Sequence, residues 1–184
     1  MSDLPATVDI HEEGPREGFQ IEPGPISTAD KIRVIEGLAQ TGLKTIQVCS
    51  FVNPKLVPGW ADAEEVMTQV RTYPGVNYTA LFFNARGLER ALAFQDKLKI
   101  SGSISLAASD AFSRKNMNRS HADNVEAMRK QTVAHLEHGI PVVRIGVMAA
   151  FGCNYQGDIE PAQVLRTIED GLAVAAEYDA RIEV

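Results

Sequence analysis

Residues 12–20, Glu-Glu-Gly-Pro-Arg-Glu-Gly-Phe-Gln, place three carboxylates and one arginine around two glycines. Glu12 and Glu17 carry the hard oxygen donors that Mg²⁺ and Mn²⁺ prefer. Arg16 is suited to pairing with a substrate carboxylate or to stabilising a developing enolate oxygen. Because charged loops are common, a solvated charged turn is the alternative. We take this segment, which we expect to form a loop, as the first candidate site.

Further candidate residues follow later strands of the predicted fold. Gln47 and Ser50 stand at the end of the second strand, where ordinary strand-end polarity is the alternative to a functional role. Residues 107–112, Ala-Ala-Ser-Asp-Ala-Phe, are small enough to let a substrate approach the backbone, and a plain loop is the equal alternative. Cys153 has the chemistry of a thiol nucleophile, but no histidine lies near it in sequence, which favours a packing role.

The four histidines include no His-x-His pair of the kind that often binds a metal. His121, His135 and His138 fall on one predicted helix, and we expect all three at its surface. His11 comes at the end of the first strand. The sequence also lacks Gly-x-Gly-x-x-Gly, which weakens a dinucleotide-binding interpretation.

Short β-rich segments alternate with helical segments at a period of about 35 residues. The predicted strands are residues 8–10, 45–49, 78–83, 98–106, 141–148 and 181–184. Five helices are predicted to begin at capping residues or at a proline, namely at Ser27, Asp62, Asn84, Ser120 and Pro161. In the last helix, the apolar periodicity predicts a buried face made of Val164, Leu165, Ile168 and Leu172.

Strict alternation implies a parallel sheet with right-handed crossovers. Two architectures fit this pattern. A doubly wound sheet is complete with five or six strands, whereas a (β/α)8 barrel needs eight strands and typically about 250 residues. The pattern alone does not decide between them. The strand-like segment 181–184 has nothing after it, which we interpret as a truncation or as the ordered part of a longer chain.

Composition and charge exclude several classes of protein. The chain has 184 residues, 45% of them hydrophobic, which fits one globular unit with a core. The net charge of −6, with no basic stripe, argues against a nucleic-acid or anionic-membrane partner. Two widely separated cysteines, no signal-peptide pattern and no apolar run of membrane-span length predict a soluble cytoplasmic protein.

Four segments together resemble the hydroxymethylglutaryl-CoA lyase family. Residues 13–20 are similar to its Gly-Pro-Arg-Asp-Gly-Leu-Gln signature, and residues 50–58, Ser-Phe-Val-Asn-Pro-Lys-Leu-Val-Pro, to its Ser-Phe-Val-Ser-Pro-Lys-Trp-Val-Pro segment. Residues 107–112, with Lys115 and Asn116, match its Ala-Ala-Ser-Glu-x-Phe stretch and the Lys-Asn that follows. Residues 151–157, Phe-Gly-Cys-Asn-Tyr-Gln-Gly, match its Leu-Gly-Cys-Pro-Tyr-Glu-Gly loop. Four motifs in the right order and spacing favour the barrel.

The resemblance implies an α/β chain of the (β/α)8 TIM-barrel class, here truncated after about six strands, with residues 1–184 as an incomplete catalytic domain. It implies cleavage of a carbon–carbon bond in a 3-hydroxyacyl-CoA or a related hydroxy acid, by a retro-aldol or retro-Claisen route. Arg16 would be the catalytic residue that stabilises the enolate, and Glu17 would bind a divalent cation, Mg²⁺ or Mn²⁺. The substrate-binding residues would be Glu12, Gln47, Ser50 and Ser109.

Several departures from the family pattern accompany the resemblance. The family's metal-binding acid is Asp, and Glu17 stands in its place. Gln47 stands where the family carries Glu, and an amide can neither act as a carboxylate base nor balance a cation's charge. The family's His-x-His, its catalytic Cys loop and its metal-binding Asn have no counterpart in these 184 residues. We therefore predict that a chain ending at Val184 has no lyase activity by itself.

Two other functions remain open at this point. One is a related acyl-CoA-condensing synthase or aldolase of the same barrel group. The other is a catalytically degenerate barrel fragment with a structural role. The changes at Glu17 and Gln47 are consistent with this alternative. For the lyase we expect a small-molecule acyl-CoA or hydroxy-acid substrate as partner, with no nucleic acid and no membrane, and a homodimer is left open.

Overall fold

The computed structural model describes residues 6–182. Strands and helices follow one another largely as the sequence pattern predicts, but two helices instead of one lie between the first and second strands and between the fourth and fifth. The strands are β1 (His11–Glu12), β2 (Thr45–Ser50), β3 (Asn77–Leu81), β4 (Gly102–Ala107) and β5 (Val142–Met148). The helices are α1 (Gly14–Ile21), α2 (Thr28–Ala39), α3 (Ala63–Gln69), α4 (Ala85–Leu92), α5 (Asp110–Met117), α6 (His121–Glu137) and α7 (Pro161–Glu177), and a 3-10 helix spans Pro58–Trp60. Within residues 6–182, no helix combines the length and apolar character of a membrane span.

The chain divides into two compact units, Met1–Ile100 and Ser101–Val184. In the first unit, β1, β2 and β3 form a parallel sheet in that order, with Glu12 opposite Ile46 and Gln47 opposite Thr79. The register shifts between Gln47 and Cys49, so the strand carries a bulge at the point where its polar residues begin. The core of this unit has fully buried side chains from the sheet, the helices and the 3-10 helix, among them Ile35, Ile46, Val48, Trp60, Val66 and Met67.

In the second unit, β4 and β5 pair in parallel. Ile104 and Leu106 of β4 form its core with Val142 and Val174. Helix α7 packs closely on β5 at Gly171, because a Cβ on that residue would lie 2.9 Å from Cγ2 of Ile145. A larger residue there would have to push the helix away from the sheet.

The predicted helix starts are confirmed, with one difference in detail. The side chains of Ser27, Asn84 and Ser120 each accept a hydrogen bond from a backbone N–H of the first turn, and Pro161 is the first residue of α7. Asp62 stands at the start of α3 but makes no such bond. Its carboxylate instead accepts hydrogen bonds from Lys31 and Thr28 of α2, so it joins two helices rather than capping one.

The first strand and the following segment differ from the prediction. Strand β1 lies at His11–Glu12, and Val8 and Ile10 are 76% and 62% exposed. Residues 14–21, expected to form a loop, are helix α1. Proline is tolerated in the first helical turn, where its missing N–H would have no partner, so Pro15 starts this helix instead of breaking it.

Two further predictions about buried surfaces are wrong. Leu165 and Leu172 of α7 are half-exposed, and the buried face of this helix is Thr167, Gly171, Val174 and Ala175, because the close contact at Gly171 sets its rotation. His135 is buried rather than on the surface, since its face of α6 packs against Gly102, where a Cβ would meet the imidazole ring at 3.1 Å.

Two predicted strands differ in extent. Strand β4 begins at Gly102, and Leu98, included in the prediction, makes only an isolated bridge to Tyr78. Of the sixth predicted strand, Arg181 and Ile182 have no regular structure, and Glu183 and Val184 lie outside the described residues.

Candidate active site

Arg16 is the centre of the candidate site in the first unit. It lies on α1, two residues after the helix begins, and its side chain is 13% exposed. Its Nε donates a hydrogen bond to Oε1 of Gln47 at 2.5 Å, which ties α1 to strand β2. The structure therefore brings together two of the predicted site residues that are 31 positions apart in sequence.

Two carboxylates surround the other guanidinium nitrogens. Glu13 accepts from one of them at 2.7 Å, and Glu17 accepts from the other. Both glutamate side chains are 51% exposed, so solvent screens these ion pairs and they add little to stability. They occupy one N–H of each terminal guanidinium nitrogen, so a substrate oxygen that approaches Arg16 meets both the remaining N–H donors and these carboxylates.

Glu12 ends β1 and turns towards the backbone of α1. Its Oε1 accepts a hydrogen bond from the backbone N–H of Gly14 at 2.5 Å. A Cβ on Gly14 would lie 2.7 Å from the same oxygen, so a larger residue would make the end of the Glu12 side chain move. The contact spans the turn between β1 and α1, two residues before Arg16.

Ser50 is the last residue of β2, and its hydroxyl is fully buried. No other group within residues 6–182 hydrogen-bonds to that hydroxyl. A buried polar atom without a partner costs about 1–3 kcal/mol, and a bound water or ligand group commonly compensates it. This supports the prediction that Ser50 binds a ligand.

Ser109 lies in the second unit, where it caps α5. Its hydroxyl accepts from the backbone N–H of Phe112 at 3.1 Å. As a donor it has two acceptors within reach, Oε1 of Gln156 at 2.9 Å and Sγ of Cys153 at 3.1 Å, and its single proton serves one of them at a time. Substrate binding by Ser109 stays a prediction.

The two cysteines have opposite surroundings. Burial raises the pKa of the Cys49 thiol, which lies in the core. Cys153 is partly exposed, and the Ser109 hydroxyl and nearby backbone N–H groups lower the pKa of its thiol because they favour the thiolate. Cys49 is thus a core residue, and a packing role for Cys153 stays a prediction.

This difference predicts the behaviour of a Ser109→Ala variant. Loss of the hydroxyl donor raises the pKa of Cys153, so the midpoint of the pH profile for its alkylation by iodoacetamide should move to higher pH. Cys49 serves as an internal control, since it should stay unmodified in both proteins while they are folded. An unchanged midpoint would show that Ser109 does not stabilise the thiolate.

The described residues do not by themselves form a cation site. Glu17 has the right donor chemistry for Mg²⁺ or Mn²⁺, but its carboxylate pairs with Arg16. Within residues 6–182, no three His, Cys, Asp or Glu side chains converge in a way that could hold a metal ion. Glu17 can thus supply one ligand at most, and the others must come from elsewhere.

Sequence reasoning missed two residues of this site. Glu13 is one of the three carboxylates of the first segment, and its i, i+3 spacing from Arg16 is the signal that pairs the two once the segment is helical. Trp60 was not considered, and its Nε1 donates to the backbone carbonyl of Arg16 at 2.8 Å. No local signal reveals a contact between residues 44 positions apart.

Named relatives align with most of this chain. A Pseudomonas aeruginosa protein named 3-hydroxy-3-isohexenylglutaryl-CoA/hydroxy-methylglutaryl-CoA lyase is 42% identical over 161 residues, which are 88% of this chain and 52% of that protein. Human mitochondrial hydroxymethylglutaryl-CoA lyase is 40% identical over 164 residues, 89% of this chain and 49% of that protein. The relatives include proteins named mitochondrial and proteins named cytoplasmic. The chain spans about half the length of these relatives, and no family model matches it.

Solved structures agree with the sequence relatives. The crystal structure of the hydroxymethylglutaryl-CoA lyase from Pseudomonas aeruginosa matches with a TM-score of 0.83 and 39% identity, covering 94% of this chain and 56% of that one. A lyase from Acinetobacter baumannii, in complex with coenzyme A and 3-methylmalate, matches with a TM-score of 0.78 and 28% identity, covering 95% of this chain and 56% of that one.

The fold places the chain among α/β proteins of the TIM-barrel type, and this chain carries Arg16 with Glu13 and Glu17 after its first strand. The predicted fold class is confirmed. Within this class the chain is related to the hydroxymethylglutaryl-CoA lyases, and the resemblance expected from its four motifs is confirmed at about 40% identity over most of its length.

Proposed function

We propose that the protein is a carbon–carbon lyase of the hydroxymethylglutaryl-CoA lyase type, acting on a 3-hydroxyacyl-CoA or a related hydroxy acid. One observation carries the proposal. Arg16 lies on α1, directly after the first strand, and donates a hydrogen bond to Gln47 of β2. The chain that contains it is 42% identical to such a lyase. In TIM-barrel enzymes the loops at the carboxyl ends of the strands carry the active site.

The chemistry of such a cleavage gives Arg16 a defined role. A base removes the proton of the 3-hydroxyl group, the bond between C2 and C3 breaks, and its electron pair moves onto the thioester carbonyl. The products are a ketone and a thioester enolate, which is then protonated at C2. Arg16 would donate a hydrogen bond to the oxygen on which this charge develops, and a preorganised donor of that kind contributes about 10²–10³-fold in rate.

The divalent cation, Mg²⁺ or Mn²⁺, belongs to the same proposal. Glu17 would supply one oxygen ligand, with the others coming from water, from substrate or from residues beyond those described. Such an ion would polarise the substrate's oxygen atoms. Because Glu17 pairs with Arg16 in the structure, binding of the ion would also release one of the contacts that occupy the guanidinium.

The relatives support the finer points of the substrate. Two substrates appear in the name of the Pseudomonas protein, and the Acinetobacter structure contains coenzyme A and 3-methylmalate. These support an acyl-CoA substrate with a branched 3-hydroxy acid. A cytoplasmic location, a homodimer and the inactivity of residues 1–184 alone stay predictions.

The test uses the protein at its full native length, incubated with hydroxymethylglutaryl-CoA and Mg²⁺ or Mn²⁺. Formation of acetyl-CoA and acetoacetate, detected by mass spectrometry, is the expected result. A Glu17→Ala variant should weaken Mn²⁺ binding, measured by electron paramagnetic resonance, by about tenfold or more, as losses in a metal's environment commonly do.

Glu22→Ala is the matched control, because Glu22 is exposed at the other end of α1 and its substitution removes the same charge. Absence of cleavage with normal folding would favour the degenerate structural role. Condensation of acetyl-CoA with a keto acid, without cleavage, would favour the synthase. Mn²⁺ binding that is equal in both variants would remove Glu17 from the cation site.

A further inference from the structure

Helix α1, which carries Arg16, is anchored from outside by a tryptophan. Nε1 of Trp60 donates a hydrogen bond to the backbone carbonyl of Arg16 at 2.8 Å, and the indole is fully buried. Helix α1 has eight residues, and the residue at its N-cap, Glu13, makes no side-chain capping bond. A helix this short is marginal without tertiary contacts, so the position of Arg16 depends on what α1 packs against.

The 3-10 helix that contains Trp60 touches α1 at two further points. The rings of Phe19 and Trp60 lie 5.9 Å apart at an angle of 49°. The backbone at Gly59 comes so close that a Cβ there would lie 2.5 Å from the carbonyl oxygen of Phe19. These contacts hold α1 at one distance from residues 58–60.

A buried lysine fixes the other side of the tryptophan. Nζ of Lys31 lies 2.6 Å from the carbonyl oxygen of Gly59, 2.5 Å from Oδ1 of Asp62 and 4.9 Å from the centre of the Trp60 ring. The residue is 3% exposed. Its three N–H donors thus have two oxygen acceptors and one aromatic face. Asp62 also accepts from Thr28 at 2.8 Å, so residues 59–62 are locked onto α2.

We propose that Trp60, clamped by Lys31 and Asp62, is a positioning residue for Arg16. Lys31 of α2 binds Asp62 and lies over the indole, and the indole donates to the Arg16 carbonyl. The side chain of Arg16 ends in the guanidinium that binds Gln47. This inference rests on the proposed function, because it gives Arg16 a reaction to be positioned for. A misplacement of about 1 Å at a catalytic group can cost on the order of 10²-fold in rate.

Trp60→Phe tests the proposal in the full-length protein, because it keeps an aromatic ring in the core and removes the N–H donor. We expect kcat for hydroxymethylglutaryl-CoA cleavage to fall by about tenfold to a hundredfold with KM little changed. Amide hydrogen exchange in α1 should speed up while that in α2 stays the same. Lys31→Met should reproduce the loss of kcat, and the two losses should not multiply in the double variant, since both act through the indole.

Tyr78→Phe is the matched control. Its buried hydroxyl also donates to a backbone carbonyl, that of Arg71 at 3.0 Å, but this bond is not connected to α1. It should lower stability as Trp60→Phe does while keeping kcat. If the wild type is active and Trp60→Phe retains kcat and α1 protection, the positioning role is wrong and the proposed function stands. If the wild type cleaves no substrate, the proposed function fails and this inference fails with it.

Discussion

An Arg16→Ala variant of the full-length protein is expected to lose about 10²–10³-fold in kcat/KM for carbon–carbon cleavage, the usual effect of removing one donor to a developing oxyanion. The loss should appear in kcat, because the charge that Arg16 would stabilise develops only as the bond breaks. A rise in KM alone would instead assign Arg16 to the binding of a substrate carboxylate. Stability should change little, since the ion pairs of Arg16 involve half-exposed glutamates.

Two companion variants make this measurement specific. Arg16→Lys keeps the charge but loses the planar fork that reaches Gln47 and the glutamates together, so it should recover only a small part of the rate. Arg33→Ala removes an arginine of α2 that is 80% exposed and pairs with Asp30 along its own helix. Its kcat/KM should equal that of the wild type. An Arg16→Ala variant within about threefold of the wild type would remove Arg16 from the chemistry.

The order of the elements was predictable because it depends on local signals. Capping residues such as Ser27 and Ser120, and the proline that starts α7, act within one helical turn. Helix α1 was not predicted, although Pro15 and Glu17 suit a first turn. Its glycines and charged residues are typical of a loop. Much of the helix's stability comes from tertiary contacts, above all those with Trp60.

The rotation of helices was less predictable than their existence. Periodicity in α7 gives the stripe of Val164, Leu165, Ile168 and Leu172. Val164 and Ile168 are partly buried, but Leu165 and Leu172 are exposed, because Gly171 packs closely against Ile145 and brings its own side of the helix to the sheet. The absence of a side chain decides this, and a scale that rewards large apolar residues cannot detect it. His135 shows the same difficulty, because a histidine usually implies a surface position and here faces Gly102.

The candidate site was predictable as a set of residues but not as a geometry. The first charged segment predicts Arg16 and Glu17, the end of the second strand predicts Gln47, and the structure brings the three together. The resemblance implies an acid where Gln47 stands, and an amide there cannot offset the charge of Arg16. In this chain Glu13 and Glu17 on α1 are the carboxylates that do so. The charge balance of the arginine therefore lies within its own helix, and the strand contributes a neutral acceptor.

The largest effect on stability is expected for Asp62→Ala, at about 3–5 kcal/mol lost from the free energy of unfolding. The Lys31 side chain is 4% exposed, and without the carboxylate its ammonium keeps only the Gly59 carbonyl and the indole face. An ammonium buried with incomplete partners is strongly unfavourable. Urea unfolding followed by fluorescence of Trp60, the chain's single tryptophan, measures this loss of stability, because the Lys31 ammonium lies over the indole.

The reverse variant should cost much less. Lys31→Met keeps most of the apolar stem, and the Asp62 side chain, 21% exposed, can then bind water while keeping Thr28 as a donor. The double variant Lys31→Met/Asp62→Ala should accordingly be more stable than Asp62→Ala alone, since no buried charge is left. Asp96→Ala, at an exposed position, is the control and should stay within about 0.5 kcal/mol of the wild type. Equal losses of unfolding free energy for Asp62→Ala and Asp96→Ala would mean that the Lys31 ammonium reaches water by a rearrangement of residues 58–62. The contacts of Lys31 with Asp62 and Trp60 would then not be rigid.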